Sequence, residues 1–135
     1  VSHILIQDDT FTFDMDRAKT ICRKIIEANL KIEWFSFSQV TKVDEELLSL
    51  MKKAGCYCIG FGIESANEKI LKCIRKPINA EISGRAIQNA KKHGLRVQAY
   101  FIFGNKGDTK ETVEETIRFA RRTSHTLAFF NKLVL

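Results

Sequence analysis

Short apolar runs and helical patterns alternate along this chain with a beat of roughly thirty residues, the length a βα unit requires. No other feature restricts the fold as much. Residues 2–7 read as a buried strand that ends on Asp8-Asp9. Residues 16–30 then place Ala18, Ile21, Cys22, Ile25 and Ile26 at helical spacing. A β-rich run at 32–37 predicts the next strand. After it Asp44 is suited to cap a helix that carries Leu47, Leu48 and Met51 and stops at Gly55. Further strands are predicted at 57–63, 95–103 and 126–135. Helices are predicted at 66–74 and 82–92 on either side of Pro77, and at 109–123. Strict alternation of this kind means a parallel sheet, either doubly wound or rolled into a barrel.

The apolar pattern starts within three residues of Val1 and runs to Leu135, so both ends are expected to lie inside a longer chain. No apolar run approaches the ~20 residues of a membrane span, and no leader pattern is present. The four cysteines, Cys22, Cys56, Cys58 and Cys73, fall inside helix and strand patterns rather than at metal spacing. They predict core packing, no metal site in this chain and a reducing, cytoplasmic setting. The net charge of +6 comes mostly from lysine and arginine pairs on helical faces. Aromatics are not interleaved with them, so no nucleic-acid partner is expected.

In both parallel architectures ligands bind beyond the carboxyl ends of the strands. The turns there read Asp8-Asp9-Thr10, Ser38-Gln39, Glu64-Ser65 and Gly104-Asn105-Lys106-Gly107-Asp108. Each suits a helix cap taken singly, whereas four on one edge make a ring of polar groups, as a site would. Gly60 and Gly62 lie inside a predicted strand, where glycine marks a bulge or a close approach. Gly104 and Gly107 flank a turn whose amides could cradle an anion.

These turns in series carry a family resemblance. Residues 6–12 (IQDDTFT), 43–56 (VDEELLSLMKKAGC) and Gly60-Phe61-Gly62-Ile63-Glu64-Ser65 stand in order. Lys76 follows Glu64 by twelve residues, and residues 101–104 (FIFG) precede Gly107-Asp108-Thr109-Lys110-Glu111-Thr112. The sequence resembles the radical S-adenosylmethionine enzymes, in particular the cobalamin-associated branch that includes the anaerobic magnesium-protoporphyrin monomethyl ester oxidative cyclases. That resemblance implies a partial TIM-type barrel of six βα units, with residues 1–135 forming about five of them. It also implies a 4Fe–4S cluster held by a Cys-x3-Cys-x2-Cys loop, which this chain lacks. The cluster's cysteines then belong outside the chain, no catalytic residue lies within it, and the chain alone is expected to be inactive.

By the same resemblance, Asp8, Asp9 and Thr10 match the motif that contacts the methionine amino group of the cofactor. Gln39 stands near a position where relatives have Arg or Glu. Glu64 matches an acceptor near the ribose or amino group, and Lys76 a cation near the carboxylate. Asp9, Glu64 and Lys76 are expected around one nucleoside-sized hollow. Asn105-Lys106 and Asp108 depart from the family's Leu-Pro and Glu in the fifth-strand turn. Cobalamin is the further cofactor implied for the longer protein, and a small molecule such as a tetrapyrrole is the implied substrate. Methyl or methylthio transfer is the alternative chemistry. From another class, the paired aspartates also fit a receiver-like signalling domain, although no aspartate stands where its phosphoacceptor should, and a non-catalytic scaffold is a further alternative. Free strand edges predict self-association.

Overall fold

The computed structural model describes residues 3–123 and 127–134. It contains β1 (His3–Ile6), α1 (Met15–Glu27), β2 (Glu33–Ser38), α2 (Glu45–Lys53), β3 (Cys56–Glu64), α3 (Glu68–Cys73), α4 (Ala80–Lys92), β4 (Arg96–Phe103), α5 (Lys110–Arg122) and β5 (Leu127–Lys132). The expected strand at 126–135 is thus β5, with Thr126 and Leu135 outside the described residues. Pro77 lies in the connection between α3 and α4, where its ring breaks no helix.

The five strands are all parallel and stand in chain order, β1-β2-β3-β4-β5. This order decides what the alternation left open. A doubly wound sheet reverses its order beside the first strand, as in the 2-1-3-4-5 arrangement of receiver-type folds. Here nothing reverses, so right-handed crossovers put every helix on the same face and the sheet is an arc of a barrel. The receiver-like alternative is incompatible with that order.

The helix-side core joins Ala18 and Cys22 of α1, Leu47, Leu48 and Met51 of α2, Ala86, Ile87 and Ala90 of α4, and Phe119 of α5 to the strands. Trp34 at its centre is fully buried and donates its indole N–H to the carbonyl of Ala54 at 2.8 Å. A buried indole that kept its N–H unpaired would lose stability, so this bond locks β2 to the end of α2. The opposite, concave face carries Phe35, Phe37, Tyr100 and Phe129 in ring-to-ring contact at 4.8–5.5 Å. Phe37 of β2 meets Tyr100 of β4 over β3 because Gly60 leaves that strand bare.

Pairing of β2 with β3 slips between Trp34 and Phe35, skipping Tyr57. Cys56 therefore packs in the helix-side core while Cys58 does not, although residues two apart on a regular strand share a face. Burial pushes the Cys56 thiol far up and the Cys22 thiol up to about 11. Among the described residues, no group of His, Cys, Asp and Glu is arranged to hold a metal ion. No helix there is long and apolar enough to cross a membrane.

Candidate functional site

Parallel strands bring every β-to-α turn to one edge, and the polar residues there are not helix caps. The caps come later: Asp14 for α1, Asp44 for α2, Asn67 for α3 and Thr109 for α5. Asp8, Gln39 and Glu64 are thereby released from the role that most cheaply explains polar residues at strand ends.

One contact on this edge is a part-buried ion pair. Lys76 Nζ donates to Glu64 Oε1 at 2.7 Å, and the two side chains are only 26% and 21% exposed. Backbone strain delivers both partners. Glu64 has φ +69°, and the N–H of Ser65 bonds to the carbonyl of Ile63 at 2.9 Å, closing a γ-turn around the glutamate. For a residue with a Cβ that conformation is strained. Lys76 follows Arg75, whose φ is +55°. The N–H groups of Lys76 and Arg75 bond to the carbonyls of Leu71 and Lys72, a Schellman ending of α3 in which arginine occupies the place glycine favours. The chain then turns back toward β3 through Pro77. Strain of ~1–3 kcal/mol per residue persists only where surroundings enforce it, and such places concentrate at functional sites.

Gly62 makes room for the pair. A Cβ on Gly62 would stand 2.9 Å from Glu64 Oε1 and 3.3 Å from Lys76 Nζ. Beside it opens a hollow of about 280 Å³ lined by Gln39, Thr41, Gly62, Arg75, Lys76 and Pro77 among others. Gln39 is exposed on its rim.

Asp8, Asp9 and Thr10 line a second hollow of about 400 Å³ with Phe13, Asp14 and Arg17. Arg17 Nη2 donates to Asp8 Oδ2 at 2.6 Å, and the N–H of Thr10 donates to Oδ1 at 3.2 Å. These bonds, the Arg17 one first, hold the Asp8 carboxyl below its usual range. Asp9 is exposed. The expected site residues therefore share one edge but divide between two hollows with no lining residue in common. Asp8, Asp9 and Thr10 line one, Gln39 and Lys76 the other, and Glu64 lines neither but is joined to the second through Lys76. Strand β2 stands between them, which separates β1 from β3 by roughly 10 Å at ~4.8 Å per strand.

The glycine turn after β4 differs from its expectation. Its amides are not offered to an anion, because the N–H groups of Gly104 and Asn105 both donate to Asp108 Oδ2 at 2.9 Å. An internal carboxylate already fills that cradle. Arg17, Arg75 and Thr41 escaped the sequence reading. Nothing in their spacing announces them, since Arg17 meets Asp8 only through the path of the intervening loop.

Comparison with known proteins agrees with this fold. Residues 1–120 match the Radical SAM superfamily. An uncharacterised methyltransferase of Pyrococcus horikoshii is 39% identical over 130 residues, 96% of this chain and 28% of that protein. The anaerobic magnesium-protoporphyrin IX monomethyl ester cyclase of Rubrivivax gelatinosus is 33% identical over 123 residues, 90% of this chain and 22% of that protein. Among solved structures, a radical S-adenosylmethionine methyltransferase from Kitasatospora setae with cobalamin and a 4Fe–4S cluster bound superposes with a TM-score of 0.88. Its identity is 20%, and the overlap covers 96% of this chain and 27% of that one. The chain belongs to the radical SAM superfamily, whose enzymes use S-adenosylmethionine and a 4Fe–4S cluster. It spans about a quarter of the length of the curated relatives it matches.

Proposed function

We propose that this chain is a barrel segment of a larger radical S-adenosylmethionine enzyme and supplies the protein side of cofactor binding. The carrying observation is the Glu64–Lys76 pair, held by two strained turns beside a hollow at the carboxyl edge. S-adenosylmethionine is a zwitterion attached to a nucleoside, and the edge offers complementary groups on a matching scale. Lys76 is a point cation suited to the carboxylate. Glu64, and Asp8-Asp9-Thr10 across β2, offer acceptors to the amino and ribose groups, with Gln39 between them. When bound, the cofactor supplies a 5′-deoxyadenosyl group able to abstract hydrogen from a substrate.

The cluster does not fit the residues described. Cys22, Cys56 and Cys58 are buried, their thiols are pushed up, and no ligand group surrounds them. Its ligands belong to another part of the enzyme. Within this class we favour a cobalamin-associated enzyme acting on a small organic molecule. The expected chemistry is oxidative cyclisation of a tetrapyrrole, as in the cyclase relatives, or methyl transfer, as in the methyltransferase relatives.

The test is direct. Full-length protein with its cluster reconstituted anaerobically is expected to convert S-adenosylmethionine to 5′-deoxyadenosine. Calorimetric titration of Glu64→Ala and Lys76→Ala is expected to show binding weaker by ~1–3 kcal/mol each, the scale of a lost charged hydrogen bond. Unchanged affinity in both variants refutes the site, and absence of the nucleoside product with a verified cluster refutes the class.

A further inference from the structure

The γ-turn at Glu64 must be enforced by something, and the structure identifies what reaches it. Ser65 and Thr116 are 3% and 1% exposed, so their hydroxyls cannot rely on bulk water. They bond to each other at 3.2 Å. Around them the donors and acceptors can be assigned without conflict. The N–H of Asn67 donates to Ser65 Oγ at 3.1 Å, and the N–H of Ala66 donates to Thr116 Oγ1 at 3.1 Å. Thr116 spends its own proton on the carbonyl of Thr112 at 3.1 Å, so the Ser65 hydroxyl is the donor between the two side chains. Asn67 adds a bond from its amide to Glu115 at 2.6 Å. Thus the two residues after Glu64 are both tied, directly or through one hydroxyl, to a single oxygen on α5.

From this geometry we infer that Thr116 is a positioning residue for Glu64. It sits 52 positions further along the chain, and its hydrogen bonds go to Ser65, Ala66 and Thr112 rather than to the glutamate itself. It acts by fixing the backbone at Ser65 and Ala66, which leaves Glu64 no relaxed alternative to its φ of +69°. A helix-only role for this hydroxyl would need just its bond to Thr112, the usual resting place of a threonine inside a helix. The two extra bonds across to the β3 turn are what that role does not require. On the same helix, Thr112 Oγ1 donates to Asp108 Oδ1 at 3.0 Å, and Asp108 gathers the amides of the β4 turn. One stripe of α5 therefore holds two neighbouring turns of the edge.

This inference rests on the proposed role of Glu64 in binding S-adenosylmethionine, and the experiment separates the two. Calorimetric affinity for S-adenosylmethionine is measured on full-length protein carrying Thr116→Val, Thr116→Ser, Glu64→Ala and the Val/Ala double change. Valine keeps the shape but removes the hydroxyl, leaving the Ala66 N–H and the Ser65 hydroxyl without their acceptor. Thr116→Val is expected to weaken binding roughly tenfold, the scale of an unsatisfied buried group, while Thr116→Ser restores it. In the Glu64→Ala background the same valine change is expected to cost nothing further. An equal loss with and without Glu64, or no rescue by serine, overturns the positioning role. If Glu64→Ala itself leaves affinity unchanged, the site assignment fails instead. Should the valine variant not fold, Ser65→Ala cuts the same link from the loop side, and a full retention of affinity there also overturns the inference.

Discussion

Gly60 and Gly62 lie two residues apart on the concave face of β3, yet a methyl group at each should have opposite consequences. At Gly60 an added Cβ would stand 2.9 Å from both Phe35 Cζ and Phe37 Cδ1. Those rings are wedged against each other at 4.9 Å, with Phe37 also against Tyr100 at 5.5 Å. They cannot retreat without disturbing the whole aromatic row. Overpacking of this sort costs ~1–3 kcal/mol, and the lower unfolded-state entropy of alanine returns about 0.5–1. Gly60→Ala should therefore be neutral at best and destabilising by up to ~2.5 kcal/mol. At Gly62 the added Cβ meets only the ends of two flexible side chains, Glu64 Oε1 and Lys76 Nζ. Those can swing aside, so Gly62→Ala should be neutral or stabilising by up to about 0.5–1 kcal/mol. The assay is urea unfolding of both variants, read as midpoint shifts at constant slope. Affinity for S-adenosylmethionine should fall in Gly62→Ala, whose displaced ion pair is the proposed binding element. A Gly62→Ala variant less stable than the parent, or a Gly60→Ala variant more stable than the parent, refutes this account of the two glycines.

Two other outcomes follow from the charges and from the edges. Lys19 bridges Asp44 at 2.8 Å and Glu46 at 2.7 Å, and Arg23 joins Glu46 at 2.7 Å, tying α1 to α2. Lys19 holds the Glu46 carboxyl below 4.5, while at Asp44 burial pushes up but the bonds from Lys19 and the Leu47 N–H outweigh it. Asp8 is likewise held below 3.8 by Arg17. Folded-state values below the unfolded ones give stability that is present above the unfolded values and disappears as pH falls through the folded ones. Unfolding midpoints should thus drop between about pH 5 and about pH 3, and less so in Lys19→Met; a flat profile would count against the network. Separately, β1 and β5 each have a strand neighbour on one side only, and Leu5 is 53% exposed. We propose that these edges pair between copies of the isolated chain. Sedimentation should show mass rising with concentration, and a constant monomer mass would exclude it.

The secondary structure was legible because it depends on local periodicity. The run of apolar residues before Asp8, the cap at Asp44 and the stop at Gly55 each act within one turn or strand, and the structure has each where the spacing puts it, although β1 is exposed at His3, Ile4 and Leu5 where a buried strand was expected. Parallel pairing followed from alternation alone, and with it the prediction that Asp8, Gln39 and Glu64 share an edge. Whether the strands ran in order or reversed was not legible. Both choices bury the same apolar faces, and only the packing of helices on one side selects the arc. The skip at Tyr57, which parts Cys56 from Cys58, was hidden for a related reason. A register slip leaves the residue pattern unchanged while turning side chains to the other face. Likewise, Glu64 and Lys76 were visible as residue types at a spacing, but their meeting at 2.7 Å depends on two positive φ angles at positions without glycine. Neither Glu64 nor Arg75 favours that conformation on its own. At Arg75 the local ending of α3 holds it, but at Glu64 a distant element, α5 through Thr116, restrains the turn, and long-range restraint of that kind has no signature in the local order of residues.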